Sequence, residues 1–320
     1  MMQCTGKVNP CVMIRQPCAE RRSARSALHM HPCPHARLLR CGDFPRTVAP
    51  MATALGAASL LRLAGADAIA FAHAQFSSNI LTLAPGQCGW SAWLDAQGRV
   101  RALFAVLRVA DDALLVWQPL GAAVPLVLDL RRYLLRSRVR IEPVEGWQVL
   151  ELPAPALPAD TGHWLDHHGG HALRLPDGMA RGVALLPADH AIDAEAALAW
   201  RRQDIAARLP WIGPATAGRF VPQALELERI GALSFDKGCY PGQEIVARLH
   251  FRGGNKRGLR VITTGAQLPE PGSTVPEPHT GRAAVVLYGV PAQRHGPAQV
   301  LAVTEAGADP AAAGAGQGAA

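Results

Sequence analysis

At 320 residues, with 49% hydrophobic and 18% charged side chains, the chain is long enough for two or three compact units and too apolar to be disordered throughout. A net charge of +7 would suit nucleic acid or an anionic surface, but residues 1–50 hold eight Lys/Arg against two acids, while the remaining chain holds 24 bases against 23 acids. A nearly neutral body argues against stable nucleic-acid binding, and no uncharged run is long enough to cross a bilayer, so neither partner is expected.

Residues 1–50 show neither helical nor alternating periodicity, and regular apolar patterning begins after Met51. They read as a disordered or non-native head, and three readings stand. The head is translated sequence upstream of a start at Met51, an Arg-rich and acid-poor targeting segment, or a Cys/His metal-binding tail that lacks short CxxC pairing. Five of the seven cysteines lie in it. The two others, Cys88 and Cys239, make no disulfide framework, which suits a reducing compartment. The expected location is the cytoplasm, or the mitochondrial matrix in a eukaryote.

In the body, residues 59–64 read as a strand, 65–67 as a turn and 69–76 as a helix. Residues 91–94 and 99–109 form a hairpin signal around the turn at 95–98, followed by a strand at 113–117 and an amphipathic helix at 124–136. Together residues 51–152 make a first α+β portion. The Pro-rich passage 153–158 marks a joint, and residues 153–257 form a second α+β portion with a strand at 182–186 and a helix at 193–209 capped by Asp193. Short apolar runs broken by Gly and Pro over residues 258–305 suit a small C-terminal antiparallel barrel, and the Ala/Gly tail 306–320 is expected to be disordered.

The segment SFDKGCYPGQEIVARLHFRGGNKR, residues 234–257, carries the chemistry. Gly238 and Gly242 permit tight turning on both sides of Cys239, Pro241 suits a first helical position, and Gln243 and Glu244 suit a first turn. A strand ending near Phe235 is therefore expected to turn through Cys239 into a helix over residues 241–249. A thiol ahead of a helix N-terminus, with Lys237 two residues away, is favoured as thiolate. Arg248, Arg252, Lys256 and Arg257 then supply a cationic rim for carboxylates or phosphates, or simply a solvated loop. Asp166, His167, His168 and His171 invite a metal reading, but adjacent imidazoles point apart and no second cluster accompanies them, so no metal is expected. Cys88 lacks a neighbouring charge and reads as inert packing.

The run FDKGCYPGQEIVAR with FRGGNKR resembles the signature of the YgfZ family of folate-binding proteins, relatives of the glycine-cleavage T-protein aminomethyltransferase. LRLAGADA near Leu61 and RFVPQ at residues 219–223 extend the likeness. The resemblance implies a ring of two related α+β portions and a C-terminal barrel around a tetrahydrofolate site. It also implies an accessory role for iron-sulfur proteins, including the enzyme that thiomethylates tRNA. The alternative is a folate-dependent aminomethyl-type transferase. Cys239 matches the family's essential cysteine; Lys237, Gly238, Tyr240, Gly242, Gln243 and Glu244 complete its motif, and Trp200 matches a tryptophan that contacts folate. With Arg248 and Arg252 these are the expected site residues. The chain departs from the family at Ala58, where a second folate-contacting tryptophan falls, at Ala206-Ala207-Arg208 in place of Glu-Ala-Gly, and at Glu226, where an amide is common.

Overall fold

The computed structural model describes residues 53–292 and 296–305; the expectations for the head and for the tail lie outside them. In chain order the elements are β1 (Thr53–Ala57), β2 (Ser59–Ala64), α1 (Ala68–Gln75), β3 (Cys88–Leu94), β4 (Val100–Ala110), β5 (Ala113–Gln118), α2 (Ala123–Arg131), β6 (Arg140–Val144) and β7 (Trp147–Leu152). There follow β8 (Trp164–His167), β9 (Gly170–Arg174), β10 (Gly182–Pro187), α3 (Ala194–Ala206), α4 (Gln243–Arg252), β11 (Arg257–Thr263), β12 (Thr274–Pro276), β13 (Ala283–Val290) and β14 (Gln299–Glu305).

Three antiparallel sheets carry the fold, in the orders β3-β4-β5-β2-β6, β1-β7-β10-β9-β8 and β11-β14-β13-β12. The first is covered on both faces, which its period-two pattern makes possible. Ala102, Phe104 and Val106 of β4 turn toward a core shared with Phe71 of α1 and Leu126 of α2. Leu103, Ala105 and Leu107 turn the other way, into a core shared with Trp200, Trp211, Leu225 and Leu301. Each fully buried Leu or Phe of this kind contributes about 1.5–3 kcal/mol of hydrophobic stabilisation. That second core joins the first sheet to α3, to the segment leading into α4 and to the C-terminal sheet.

Mixed α and β elements with antiparallel sheets agree with the expected class, but three boundaries differ. β7 pairs with β1 and with β10, so the division expected at 152/153 falls inside a sheet. The C-terminal barrel is an open four-stranded sheet with β11 and β12 at its edges, and β12 stops after three residues at Pro276, which has no N–H to continue a ladder. α2 ends at Arg131 rather than Arg136, where the Arg131 guanidinium turns across to the Ile141 carbonyl, 2.6 Å from Nη2.

Candidate functional site

The motif segment is held by the first sheet and by α1. Ser77, fully buried, donates to the Ala232 carbonyl at 2.6 Å and accepts from Ala92 N–H, while its own carbonyl takes the Ser234 N–H at 2.9 Å. Lys237 then crosses to the C-terminal end of α1, where its ammonium donates to the carbonyls of His73 and Phe76. The last carbonyls of a helix lack intrahelical donors and form the negative end of its dipole, so a lysine there closes the helix. The same ammonium sits 4.7 Å over the Tyr240 ring. Burial brings its pKa down to about 8. Lys237 thus anchors the motif to α1, a role that spacing alone did not reveal. Burial, followed by the Lys237 charge, also lowers the pKa of His73, whose Nδ1 is buried without a partner among the described residues.

No strand precedes Cys239, and the helix begins two residues later than expected, at Gln243. The reason is Gly242, whose φ of +77° breaks the helical course after Pro241. Gly242 also lies against the β3–β4 turn: a Cβ there would come within 2.5 Å of the Asp95 carbonyl oxygen and of Gly98 Cα. Gln243 staples the turn, its Oε1 accepting the Tyr240 N–H at 3.2 Å while its own N–H returns to the Tyr240 carbonyl at 3.2 Å. Tyr240 is buried, and burial raises its phenol to about 12. The outcome is a rigid turn that presents Cys239 to solvent as an exposed free thiol. Gly238 beside it, and Glu244, Arg248 and Arg252 along α4, are exposed.

Trp200 lies elsewhere on the surface of the central core, in a cleft of about 80 Å³ lined by Trp117, Trp211, Arg201, Asp204 and Pro119, among others. None of the motif residues is among its lining residues. One face of the Trp200 ring is covered by Arg181, whose guanidinium carbon is 4.6 Å from the ring centroid. Asp204 is the hub: its Oδ1 accepts from Arg181 at 3.1 Å, and its Oδ2 from Arg201 at 3.0 Å and from the Trp211 indole N–H at 2.9 Å. Burial raises the Asp204 pKa, and the two guanidinium groups and the indole oppose that rise. Tyr288 of β13 closes the cluster from the third sheet, donating to the Leu209 carbonyl at 2.6 Å. Trp117, Trp211, Arg181, Arg201 and Asp204 were not anticipated. The available signal was the spacing of Trp200, Arg201 and Asp204 on one helix, with Trp211 seven residues beyond Asp204.

The two departures beside this region meet in space. Arg208 and Glu226 both adopt left-handed backbone, with φ of +51° and +53°, and their side chains lie 4.0 Å apart. Glu226 further pairs with Arg229 at 3.4 Å and accepts the Leu259 N–H at 3.2 Å, which ties this turn to β11. The histidine run forms the β8–β9 hairpin, where the His171 ring packs edge-on against Trp164 with centroids 4.4 Å apart. Among the described residues no three His, Cys, Asp or Glu side chains converge as metal ligands. Cys88 is buried, and burial pushes its thiol up to about 12. No described helix is long and apolar enough to cross a membrane.

No family model matches the chain. The fold is similar to that of the glycine cleavage system aminomethyltransferase T from Bartonella henselae, with a TM-score of 0.52 and 14% identity, covering 79% of this chain and 77% of that one. Two relatives named tRNA-modifying protein YgfZ, from Escherichia coli strains SMS-3-5 / SECEC and K12 / DH10B, are each 30% identical over 237 residues, spanning 67% of this chain and 72% of theirs. The chain belongs to the family of the tRNA-modifying protein YgfZ.

Proposed function

We propose that this protein binds a reduced folate in the tryptophan-lined cleft and uses Cys239 as a working thiol, in support of iron-sulfur proteins and thereby of tRNA modification. The observation that carries the reading is the cleft itself. Indole walls from Trp117, Trp200 and Trp211 suit a flat heteroaromatic ring, and such sites are mostly apolar with a few fixed polar groups. Asp204 supplies such a group: a carboxylate has about four lone-pair sites, and three are taken by Arg181, Arg201 and Trp211. The remaining site fits an N–H of a pterin. A bound tetrahydrofolate would supply a carrier for one-carbon groups. The family relationship to proteins named for tRNA modification supports the biological setting, and iron-sulfur proteins remain the proposed partners.

Tyr240, adjacent to Cys239, belongs to the same continuous core as Trp200, which supports coupling between cleft and thiol. Isothermal titration with tetrahydrofolate is the direct test. Saturable binding is expected, and Trp200→Ala should weaken it about tenfold, the equivalent of losing about 1.4 kcal/mol. Absence of heat at millimolar ligand, or a Trp200→Ala variant that binds as well as the parent, would refute the assignment of the cleft.

A further inference from the structure

The cations expected around the motif do not line the tryptophan cleft. Two of them, Lys256 and Arg257, join Arg99 and Arg219 in lining a separate open groove of about 310 Å³, with Leu249 of α4 and Asn255; Arg248 and Arg252 do not line it. Its four cations come from four places: the turn before β4, the loop at Arg219, the loop after α4 and the first residue of β11. Among the described lining residues Glu305 is the single carboxylate, opposite Arg257 in the β11–β14 ladder.

Two features separate this groove from an ordinary solvated face. The first is the absence of compensation. Arg181, Arg201, Arg208 and Arg229 each have a carboxylate within 4.0 Å, whereas among the described residues none of the four groove cations does. The second is that the guanidinium groups are positioned by backbone rather than by acids. Arg99 donates to the Arg219 carbonyl at 2.9 Å, and Arg219 in turn donates to the Gly272 carbonyl. Asn255 fixes the Lys256–Arg257 turn by accepting the Arg257 N–H at 3.2 Å and donating to the Arg257 carbonyl at 2.7 Å. Like charges gathered along one groove without acidic partners repel one another, and an anion that enters relieves that repulsion.

We propose that this groove is a binding site for a phosphate-bearing polyanion, distinct from the tryptophan cleft. Several cations around one carboxylate in a compact volume match the charge density of linked phosphates better than that of carboxylates. Each phosphate group offers more oxygens, and often more charge, to planar guanidinium forks. The near-neutral body means that attraction is local, so binding is weak and falls steeply with salt.

The test is titration of the full chain at 50 mM and 200 mM salt with inorganic tripolyphosphate, with a fluorescein-labelled 12-residue oligouridine, and with a triglutamate peptide as carboxylate control. Binding of tripolyphosphate or oligouridine is expected at 50 mM salt, at least tenfold tighter than triglutamate and weakened at 200 mM. Tighter oligouridine identifies a nucleic-acid backbone as the source, and tighter tripolyphosphate a free oligophosphate. Lys256→Gln with Arg257→Gln should weaken binding at least tenfold, while Trp200→Ala leaves it unchanged. Both substituted side chains are exposed, and Lys256→Gln alone, in a loop, keeps the test valid if the double variant melts early. Failure of both phosphate probes to bind, equal binding of triglutamate, or indifference to the substitutions would overturn the proposal.

Discussion

Asp204→Ala is expected to lower the free energy of unfolding by about 3 kcal/mol, because removing one member of a buried ion-pair network leaves the other charges undercompensated and a buried donor without its acceptor. Asp204 is 1% exposed and serves three donors at once. Its loss strips the Trp211 indole N–H of its acceptor and leaves Arg181, itself 9% exposed, with Asp177 at 2.7 Å as its one remaining carboxylate. Arg201 reaches solvent and suffers less. Asp204→Asn keeps an acceptor for the indole and should cost less than the alanine. Urea unfolding followed by tryptophan emission measures both; a shift of the midpoint at constant slope is the expected form. A loss under about 1 kcal/mol for the alanine would mean that the network holds no buried charge.

The second large effect is expected at Gly242→Ala. Left-handed backbone costs a non-glycine residue about 1–2 kcal/mol, and forcing a methyl into packed surroundings costs about 1–3 kcal/mol more. Both apply here, since the added carbon would meet the Asp95 carbonyl and Gly98 Cα at 2.5 Å, and these are backbone atoms that cannot swing away. Gly146→Ala, in the β6–β7 turn, supplies the control. Its φ of +75° is similar, but nothing lies within 4 Å of the added carbon, so the backbone cost alone remains. Thermal unfolding should therefore rank the two variants clearly, with Gly242→Ala much the lower. Equal melting temperatures would show that the motif does not rest on the β3–β4 turn. Because that contact fixes the turn holding Cys239, Gly242→Ala should also disorder the thiol.

These two sites mark the limits of what the sequence discloses. Local signals were sufficient where one element decides its own structure. The strand at residues 59–64 is β2, and Asp193 caps α3 by accepting the Ala196 N–H at 2.9 Å. The motif was legible as a tight turn into a helix, and its composition pointed to the family. What escaped was long-range. Lys237 reads locally as a neighbour of Cys239, yet its partners are the carbonyls of His73 and Phe76, more than 160 residues earlier. The cleft combines Trp117 from β5, Asp204 from α3 and Trp211 from the loop beyond it, and no periodicity links those positions. The division at Pro153 looked like a joint because proline interrupts patterning, while the pairing of β7 with β10 depends on residues on both sides of the interruption. Lys256 and Arg257 were visible in a cluster with Arg248 and Arg252, but their meeting with Arg99 and Arg219, apart from the tryptophans, was not.

The link between the cleft and the thiol is tested most directly by the rate at which iodoacetamide alkylates Cys239, read peptide by peptide in the mass spectrometer, with and without saturating tetrahydrofolate. If the cleft holds the pterin and is coupled to the motif thiol through the core that Trp200 shares with Tyr240, bound folate should change the reaction rate at least fivefold, with Cys88 unreactive in either condition. An unchanged rate in a sample where calorimetry shows the folate bound would contradict it.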